Sequence, residues 1–433
     1  MSTGRAVDFT HELSLAAVDS SVAESVRRRV LDTLAAITAG YRMPGIEVTR
    51  GYALDTHSGD AAPVLDGSGR RLSVAGATLA NATAANTLDI DDGHREVKGH
   101  PAAVVVPAAL AAGAATDATV GDLLDAVYVG YELAVRAGLA IHATDGVYTG
   151  TGSWGAVGAA AAVARCRGLP SDVTAHALGT AEYHAPRTPI MRGVTQPGMT
   201  KDGVGWGAYA GAVAADLAVR GFTGSGTVFD EEGVSVTATL GERHHTTEGY
   251  LKPYPCCRWA QPGVDAVLAL RESHDVEPTD VDEIRIQTFT EATHLETRHP
   301  DSIEAAEYSY PYPVAVALAR GRLTPTDLLA FEDGDPTVER LADAVELTVD
   351  DSLDERFPGE CLARAELVVG ETTYASSVTR PRGARDRPLS RAKQREKVDR
   401  LCSPTLDTAA IDQVERLLDD RSANVTEVLS SWQ

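Results

Sequence analysis

Lysine is scarce in this chain. Five of its 39 basic residues are lysines, whereas aspartate and glutamate number 62, and the formal net charge is −23. Such an excess of negative charge repels polyanions, so we expect neither nucleic acid nor an anionic membrane as a partner. An acidic, lysine-poor surface is typical of a salt-rich cytoplasm, where ions screen self-repulsion, although a genome that favours arginine codons gives the same composition.

Long apolar runs and paired cysteines are also lacking. No apolar stretch approaches the roughly 20 residues that span a bilayer, and the first residues lack the basic start and apolar core of a signal peptide. The five cysteines form no C-x-x-C pair and are too sparse for a secreted disulfide scaffold, so we expect reduced thiols. These absences predict a soluble, cytoplasmic protein.

Helical patterns fill the first part of the chain. A sequence of 433 residues exceeds the size at which one hydrophobic core usually stops growing, which favours two domains. Ser21 and Glu24 have the spacing of a capping box, and apolar residues then recur at helical spacing to Gly40. The 1–265 region is therefore predicted to be an all-helical domain. Its further predicted helices cover 72–88, 103–116, 120–141, 155–167, 171–183 and 203–220.

The pattern changes after about residue 275. Polar and apolar residues alternate over 282–289, 365–369 and 372–378, as they do in half-buried strands. Helical segments are predicted at 302–320, 324–331 and 336–346, and a final helix at 408–431. We therefore expect a mainly α protein in which a smaller α+β domain, residues 266–404, follows the all-helical one.

The most informative segment runs from Leu88 to His100. It holds three aspartates and two imidazoles directly before an apolar run that begins at Pro101. Carboxylates beside apolar surface are costly to desolvate unless they are paired, so shifted pKa values and acid/base chemistry are expected here. A polar loop that caps the following helix is an equal alternative. An EF-hand is excluded because His100 stands where its closing glutamate belongs, and the spacing matches no established metal-ligand pattern.

Two further segments carry cations. Prolines fix the backbone of Lys252-Pro253-Tyr254-Pro255-Cys256-Cys257-Arg258, and the planar guanidinium of Arg258 suits a carboxylate; a rigid linker with an exposed arginine explains the segment equally well. Lys201 precedes a Gly/Ala-rich helix, where the helix dipole disfavours a cation. A functional role or a pairing with Asp202 would account for it. Tyr308, Tyr310 and Tyr312 suit either a hydrogen-bond donor or core packing.

Taken in order, these motifs resemble the MmgE/PrpD family, and the match runs from about residue 8 to 430. The matching elements are Asn86 to Asp92 with Gly99-His100-Pro101; Lys201 before a Gly/Ala helix ending in Gly221-Phe222-Thr223-Gly224; Lys252 to Arg258 with Asp265-Ala266; Ser309-Tyr310-Pro311-Tyr312 with Gly321; and Arg382-Gly383 with Pro388-Leu389-Ser390 and Lys397.

The resemblance implies both an architecture and a type of chemistry. It implies a large all-helical domain completed by the C-terminal helix at 405–433, a smaller α+β lid, and a homodimer. Members include 2-methylcitrate dehydratase, cis-aconitate decarboxylase and iminodisuccinate epimerase, which act without cofactor or metal on small polycarboxylates in a cleft between the domains. Proton transfer at a carbon next to a carboxylate is common to them.

Carried over by position, Asp89, His100, Lys201 and Tyr312 match family active-site residues. Two places depart from the family pattern. Several members have a histidine where Thr149 stands, and decarboxylase-like members have histidines where this chain has Cys257 and Gln261.

We therefore predict a cofactor-independent hydro-lyase that acts on a small anionic polycarboxylate. His100 and Asp89 would transfer the proton, Tyr312 would protonate the leaving hydroxyl, and Lys201 and Arg258 would anchor carboxylates. Thr149, Lys252 and Cys257 are expected to contact the substrate. An epimerase or isomerase using the same proton abstraction, a decarboxylase and a non-enzymatic carboxylate-binding protein are the alternatives.

Overall fold

The computed structural model describes residues 2–432, and helices dominate it. The helices are α1 Ser2–Glu12, α2 Ser20–Gly40, α3 Ile46–Thr56, α4 Val74–Asn86, α5 Pro101–Ala115, α6 Val120–Asp145, α7 Thr151–Arg167, α8 Ser171–His184, α9 Ile190–Thr195, α10 Val204–Val219, α11 Gln261–His274, α12 Ile303–Glu307, α13 Pro311–Arg320, α14 Pro325–Leu328, α15 Ala330–Asp333, α16 Pro336–Asp343, α17 Asp351–Asp354, α18 Arg391–Cys402, α19 Thr408–Asp419 and α20 Val425–Ser431.

Strands are short and few among the described residues. They are β1 Ala62–Pro63, β2 Arg71–Leu72, β3 Asp92–Gly93, β4 Tyr250–Leu251, β5 Glu283–Thr288, β6 Val345–Val349, β7 Arg364–Val369 and β8 Thr372–Ala375. The last four form one sheet in the order β6-β5-β7-β8, in which only β5 and β6 are parallel. The predicted mainly α fold with a smaller α+β part is confirmed.

The α5, α7 and α10 helices form the centre of the helical part. Helix α7 packs against α5, α6, α8 and α10, and alanine and glycine make up most of its buried residues. Small side chains let helix axes approach closely, and because α5 is apolar on all sides it is buried along almost its whole length. This core holds the ends of the helices from which the candidate site is built.

The predicted capping box at Ser21 and Glu24 is wrong. The N-cap of helix α2 is Asp19, two residues before Ser21, and its side chain makes no capping hydrogen bond. A reciprocal capping box instead begins α6, where Thr119 and Asp122 bond to each other's backbone N–H groups. Spacing alone does not identify a cap, because the N-cap residue must also leave the helical conformation.

Four predicted elements after residue 300 differ from the structure. The expected helix at 324–331 divides into α14 and α15. The segment 336–346 was expected to be one helix, but α16 ends at Asp343 and 345–349 form strand β6. The expected helix at 302–320 divides into α12 and α13 because Pro311 cannot donate the hydrogen bond that would continue the first helix. The expected final helix divides into α19 and α20.

The two parts of the chain are interleaved at their boundaries. The predicted boundary at 265 falls inside α11, which packs against α13 and β7 and so belongs with the sheet. Helix α18 packs back on α2, and the C-terminal segment reaches the helical part, where the Trp432 indole donates to Thr38 Oγ1 at 2.8 Å. No helix of residues 2–432 has the length and apolarity needed to cross a membrane.

Candidate active site

Asp89 and His100 meet in the turn-rich connection between α4 and α5. His100 Nδ1 lies 2.8 Å from the Asp92 carbonyl oxygen, which can only accept, so Nδ1 carries the hydrogen. The other ring nitrogen, Nε2, lies 3.3 Å from Asp89 Oδ1 and 3.7 Å from Asp202 Oδ2. The backbone therefore fixes the imidazole tautomer, and Nε2 is the nitrogen that can exchange a proton.

The neighbouring aspartates of this segment have structural tasks. Asp92 Oδ1 accepts the backbone N–H of Ala102 in the first turn of α5 at 3.0 Å. Asp91 accepts from Asn86 Nδ2 at 3.1 Å and lies 3.3 Å from His100 Nδ1. Asp92 thus caps the following helix, whereas Asp89 is the carboxylate that lies beside the free ring nitrogen of His100.

Two lysines reach this segment from distant parts of the chain. Lys252 Nζ lies 2.8 Å from Asp89 Oδ2 and donates to the Asp89 carbonyl oxygen at 2.7 Å. Lys201 Nζ pairs with Glu307 Oε2 at 2.6 Å and donates to the carbonyl oxygens of Asn86 and Thr87. Those carbonyls end α4, where a cation is favoured. One interpretation of the sequence paired Lys201 with Asp202, and this interpretation is wrong because the carboxylate partner of Lys201 is Glu307.

We call Asp89, His100, Lys201, Asp202 and Lys252 the acid/base cluster. Thr151 connects Asp202 to the cluster. Its hydroxyl accepts a hydrogen bond from the backbone N–H of His100 at 3.1 Å and donates to Asp202 Oδ2 at 3.3 Å. Thr151 begins α7, and Asp202 lies just before α10, so the close packing of these two helices positions both groups.

Burial and neighbouring charges together shift the pKa values of several groups in the acid/base cluster. Burial would raise the pKa of Asp89, but Lys252, His100 and Lys201 together lower it, so this carboxylate stays ionised. The pKa of Asp202 is raised, mainly by burial. Burial opposes the charge on Lys252, yet its carboxylate neighbours raise its pKa. One ionised and one more easily protonated carboxylate thus flank the His100 ring.

Four members of the acid/base cluster, Asp89, His100, Asp202 and Lys252, line a small cavity of about 50 Å³, and Lys201 is not part of its lining. A larger cavity of about 780 Å³ adjoins it, and Arg95, Tyr250 and Arg258 line both. The remaining lining of the small cavity comes from Lys98, Gly99, Ile190, Val194, Cys257, Trp259 and Tyr308.

The cations of the cavity wall differ from Lys201 and Lys252 in being unpaired. Lys98, Arg95 and Arg258 form no ion pair with a carboxylate among the described residues. The Arg258 guanidinium lies over the Tyr250 ring and donates to Gln261 Oε1 and the Arg382 carbonyl, each at 2.8 Å. Burial and neighbouring Arg95 lower the pKa of Lys98 to about 8. This wall favours an anion.

The structure places three predicted site residues, Lys201, Thr149 and Tyr312, outside the lining of both cavities. Lys201 was expected to anchor a carboxylate, but its ammonium group is engaged by Glu307 and two backbone carbonyl oxygens. Tyr312 lies in α13, and its hydroxyl donates to the Leu328 carbonyl oxygen at 2.9 Å. Thr149 is buried, and its hydroxyl donates to Ser153 Oγ at 2.8 Å. Cys257 does line the small cavity, but burial raises the pKa of its thiol, so it is a neutral wall residue.

The sequence prediction did not include Tyr308, Asp202 or Lys98 among the site residues, but all three line the small cavity. Tyr308 lines the cavity and donates to Asp202 Oδ1 at 3.3 Å. Lys98 lies two residues before His100. The sequence contained features that could have pointed to these three residues. Tyr308 belongs to the tyrosine run, Asp202 adjoins Lys201, and Lys98 is one of only five lysines.

The lysine distribution itself marks the site. Lys98 and Lys252 line the small cavity, and Lys201 binds the end of α4 next to Asp89. Lys397 contacts the backbone of the segment from Leu88 to His100. Lys397 Nζ pairs with Asp32 at 2.7 Å and donates to the Ile90 carbonyl oxygen at 2.8 Å. Four of the five lysines of a strongly acidic chain thus lie in the segment from Leu88 to His100 or bind at its start.

Asp89, Asp91 and His100 also bring potential metal ligands within 4.8 Å of one another. The buried ammonium group of Lys252 already neutralises Asp89 at 2.8 Å, and a dication there would be repelled by this charge. The donor set is therefore better suited to proton transfer than to metal binding.

Comparisons with known proteins show the family of the chain. The MmgE/PrpD N-terminal domain model matches residues 5–247, and the MmgE/PrpD C-terminal domain model matches residues 254–420. A cis-aconitate decarboxylase of Aspergillus terreus is 25% identical over 99% of this chain and 95% of that protein. The cis-aconitate decarboxylase-like protein oryM of Aspergillus oryzae is 24% identical over 99% of this chain and 96% of its own length. The chain belongs to the MmgE/PrpD family.

Proposed function

We propose that this protein is a lyase that acts on a small polycarboxylate by proton transfer at a carbon next to a carboxylate. The observation that carries the proposal is the His100 ring, whose Nε2 lies between Asp89 and Asp202 in a cavity with unpaired cations on its wall. Family membership and the names of the curated relatives support the same class of enzyme.

The first step would be abstraction of a proton by His100 Nε2. The Asp92 carbonyl holds the Nδ1 hydrogen, so the ring gains its second proton at Nε2 and becomes an imidazolium. Asp89, held ionised by Lys252, would stabilise that charge. The carbanion would delocalise its charge onto the adjacent carboxylate, which Lys98 and Arg258 would bind.

The second step would be loss of the leaving group. In a hydro-lyase the Tyr308 hydroxyl would give its proton to the departing hydroxyl group while the carbon–carbon double bond forms. Tyr308 takes the role that the sequence had assigned to Tyr312, because its hydroxyl lies at Asp202 in the cavity. The small cavity cannot enclose a whole polycarboxylate, so the substrate would extend past Arg258 into the larger cavity.

Decarboxylation is the second candidate, and the curated relatives favour it because their names carry that activity. The Cys257 thiol stands where decarboxylase-like members have a histidine, which favours dehydration. An epimerase would use the same abstraction and return the proton to the opposite face.

A screen of hydroxylated and unsaturated di- and tricarboxylates tests the proposal. Ultraviolet absorption of an unsaturated product reports dehydration, released carbon dioxide reports decarboxylation, and solvent deuterium incorporation without water loss reports epimerisation. We expect His100→Gln to lower kcat by about 10²- to 10⁴-fold with a nearly unchanged Tm. Full turnover by His100→Gln, or binding of the carboxylates without turnover by the wild type, would contradict the proposal.

A further inference from the structure

A second group of potential ligands lies outside the acid/base cluster. His94 follows strand β3, and His245 and Glu248 precede β4, so the β3–β4 pairing brings them together. Their ligand atoms lie within 4.8 Å of one another, and His245 Nδ1 is 3.5 Å from Glu248 Oε2. We call these three residues the two-histidine cluster. The proposed mechanism uses none of them.

The imidazoles of the two-histidine cluster are buried without hydrogen-bond partners. Neither ring nitrogen of His94, nor Nδ1 of His245, has a partner among the described residues, although the two residues are only 1% and 2% exposed. Buried polar atoms are nearly always satisfied, so three unpaired ring nitrogens in one place indicate a missing ligand. The rings pack edge to face with centroids 5.2 Å apart.

We propose that His94, His245 and Glu248 bind one divalent transition-metal ion, with Zn²⁺ as the best match. Two imidazole nitrogens and one carboxylate oxygen are a donor set that suits zinc, whereas Mg²⁺ and Ca²⁺ prefer oxygen ligands. A neutral imidazole binds a metal ion through a ring nitrogen, and the unpaired ring nitrogens of His94 and His245 are available for this.

The geometry leaves room for a fourth ligand. Two ligands of a tetrahedral zinc ion lie roughly 3.4 Å apart, so the three side chains must approach slightly, which side-chain rotation allows. His94 and Glu248 also line the larger cavity. A fourth position of the ion would face this cavity and would accept water or a carboxylate.

Nearby arginines would compete for Glu248, but they are free to move. Arg243 Nη2 lies 2.6 Å and Arg385 Nη1 3.6 Å from this carboxylate, and their side chains are 41% and 69% exposed. Both can turn into solvent when a cation binds. By contrast, the side chain of Lys252 beside Asp89 is 1% exposed, and it cannot leave. Two buried arginines near the imidazoles, Arg29 and Arg136, pair with Asp92 and Glu132, which are not proposed ligands. Within residues 2–432, the carboxylate of the two-histidine cluster is therefore held only by exposed arginines, which favours this cluster over the acid/base cluster as the metal site.

Metal titration of the full chain tests the inference independently of turnover. After dialysis against a chelator and then buffer, Zn²⁺ is titrated by calorimetry and Co²⁺ by its visible absorption. We expect one Zn²⁺ per chain, a rise in Tm with Zn²⁺, and no response to Mg²⁺. His245→Gln and Glu248→Gln should each weaken binding by at least about tenfold. The control His299→Gln, at an exposed histidine paired with Asp343, should bind as the wild type does.

The variants also separate the two clusters. Glu248 is only partly buried, so Glu248→Gln is expected to keep its fold, which circular dichroism checks. Asp91→Asn should retain Zn²⁺ binding, because Asp91 belongs to the other group of ligands. Absence of binding by the folded wild type, unchanged binding by Glu248→Gln, or loss of binding in Asp91→Asn would overturn the inference.

Discussion

Backbone conformation at single residues distinguishes the candidate site from the rest of the molecule. Among the described residues five that are not glycine have positive φ, and three of them are Asp89, Lys98 and Lys201, with φ of 47°, 47° and 41°. Such conformations are disfavoured for residues with a Cβ atom and cluster at functional sites. The backbone N–H group of each of these residues donates to the carbonyl oxygen three residues earlier, so each lies in a hydrogen-bonded turn that sets the direction of its side chain.

The two neighbouring tyrosines give a matched pair of substitutions. Tyr308→Phe removes the hydroxyl that lies at Asp202, so we expect kcat to fall by about a hundredfold while Tm changes little. Tyr312→Phe removes a hydrogen bond to the Leu328 carbonyl and should cost about 1 kcal/mol of stability with turnover retained. Steady-state kinetics and thermal unfolding of both variants check this. The reverse pattern would restore the role that the sequence assigned to Tyr312.

The sequence identified residues of the candidate site where charged side chains lie beside segments in which their desolvation costs free energy. Asp89, His100 and Lys252 were found because carboxylates and scarce cations lie beside apolar or rigid segments. It assigned the proton donor to Tyr312, whereas Tyr308 is the tyrosine that lines the cavity, a difference that depends on tertiary packing. The Lys201–Glu307 pair was also out of reach, because it joins residues that are more than 100 positions apart.

At the scale of helices, the contact between α7 and α10 controls the geometry of the site. The Gly152 N–H donates to the Asp202 carbonyl oxygen at 2.9 Å. A Cβ atom at Gly207 would lie 2.4 Å from Gly152 Cα, a distance that only glycine permits. Gly207 and Gly211 of α10 therefore form a close contact surface with α7, and this contact brings Thr151 and Asp202 to His100.

Gly207→Ala should consequently destabilise the protein and impair the site. The new methyl group meets backbone atoms that cannot move aside, so we expect a loss of about 1–3 kcal/mol, seen as a lower Tm, together with reduced turnover. Gly4→Ala is the control, because no atom lies within 4 Å of its Cβ position. Alanine favours a helix, so this variant should unfold at the same or a higher temperature. Equal Tm values for both variants would show that the helices separate freely.

Element prediction succeeded where periodicity was long and failed where elements were short. Helices α5, α6 and α8 begin and end within a few residues of their predicted bounds because their patterns run for several turns. Strand β6 was missed, since 345–349 continue the apolar spacing of α16 and only pairing with β5 makes them a strand. Such pairing is a tertiary effect that local sequence does not contain.

At the scale of the whole molecule, a row of aromatic side chains interrupts the acidic surface. Trp206 packs against Tyr209 and Tyr209 against His57, which contacts Tyr52, with centroids 5.6, 5.3 and 6.0 Å apart. Trp206 and Tyr52 are 55% and 48% exposed. Contiguous exposed aromatics often mark an interface. We propose that this row, on α3 and α10, is covered by a second copy of the chain, in keeping with the expected homodimer.

Trp206→Glu should therefore dissociate the dimer. A carboxylate in the row of aromatic side chains would be desolvated without a partner, and with a net charge of −23 on each chain it adds repulsion; we expect the dissociation constant to rise by at least about thirtyfold. Light scattering coupled to gel filtration gives the mass. Val349→Glu is the control, since Val349 is 44% exposed on strand β6, away from the row, and should leave the mass unchanged. A monomeric wild type, or a Trp206→Glu variant that remains dimeric at low concentration, would refute this placement of the interface.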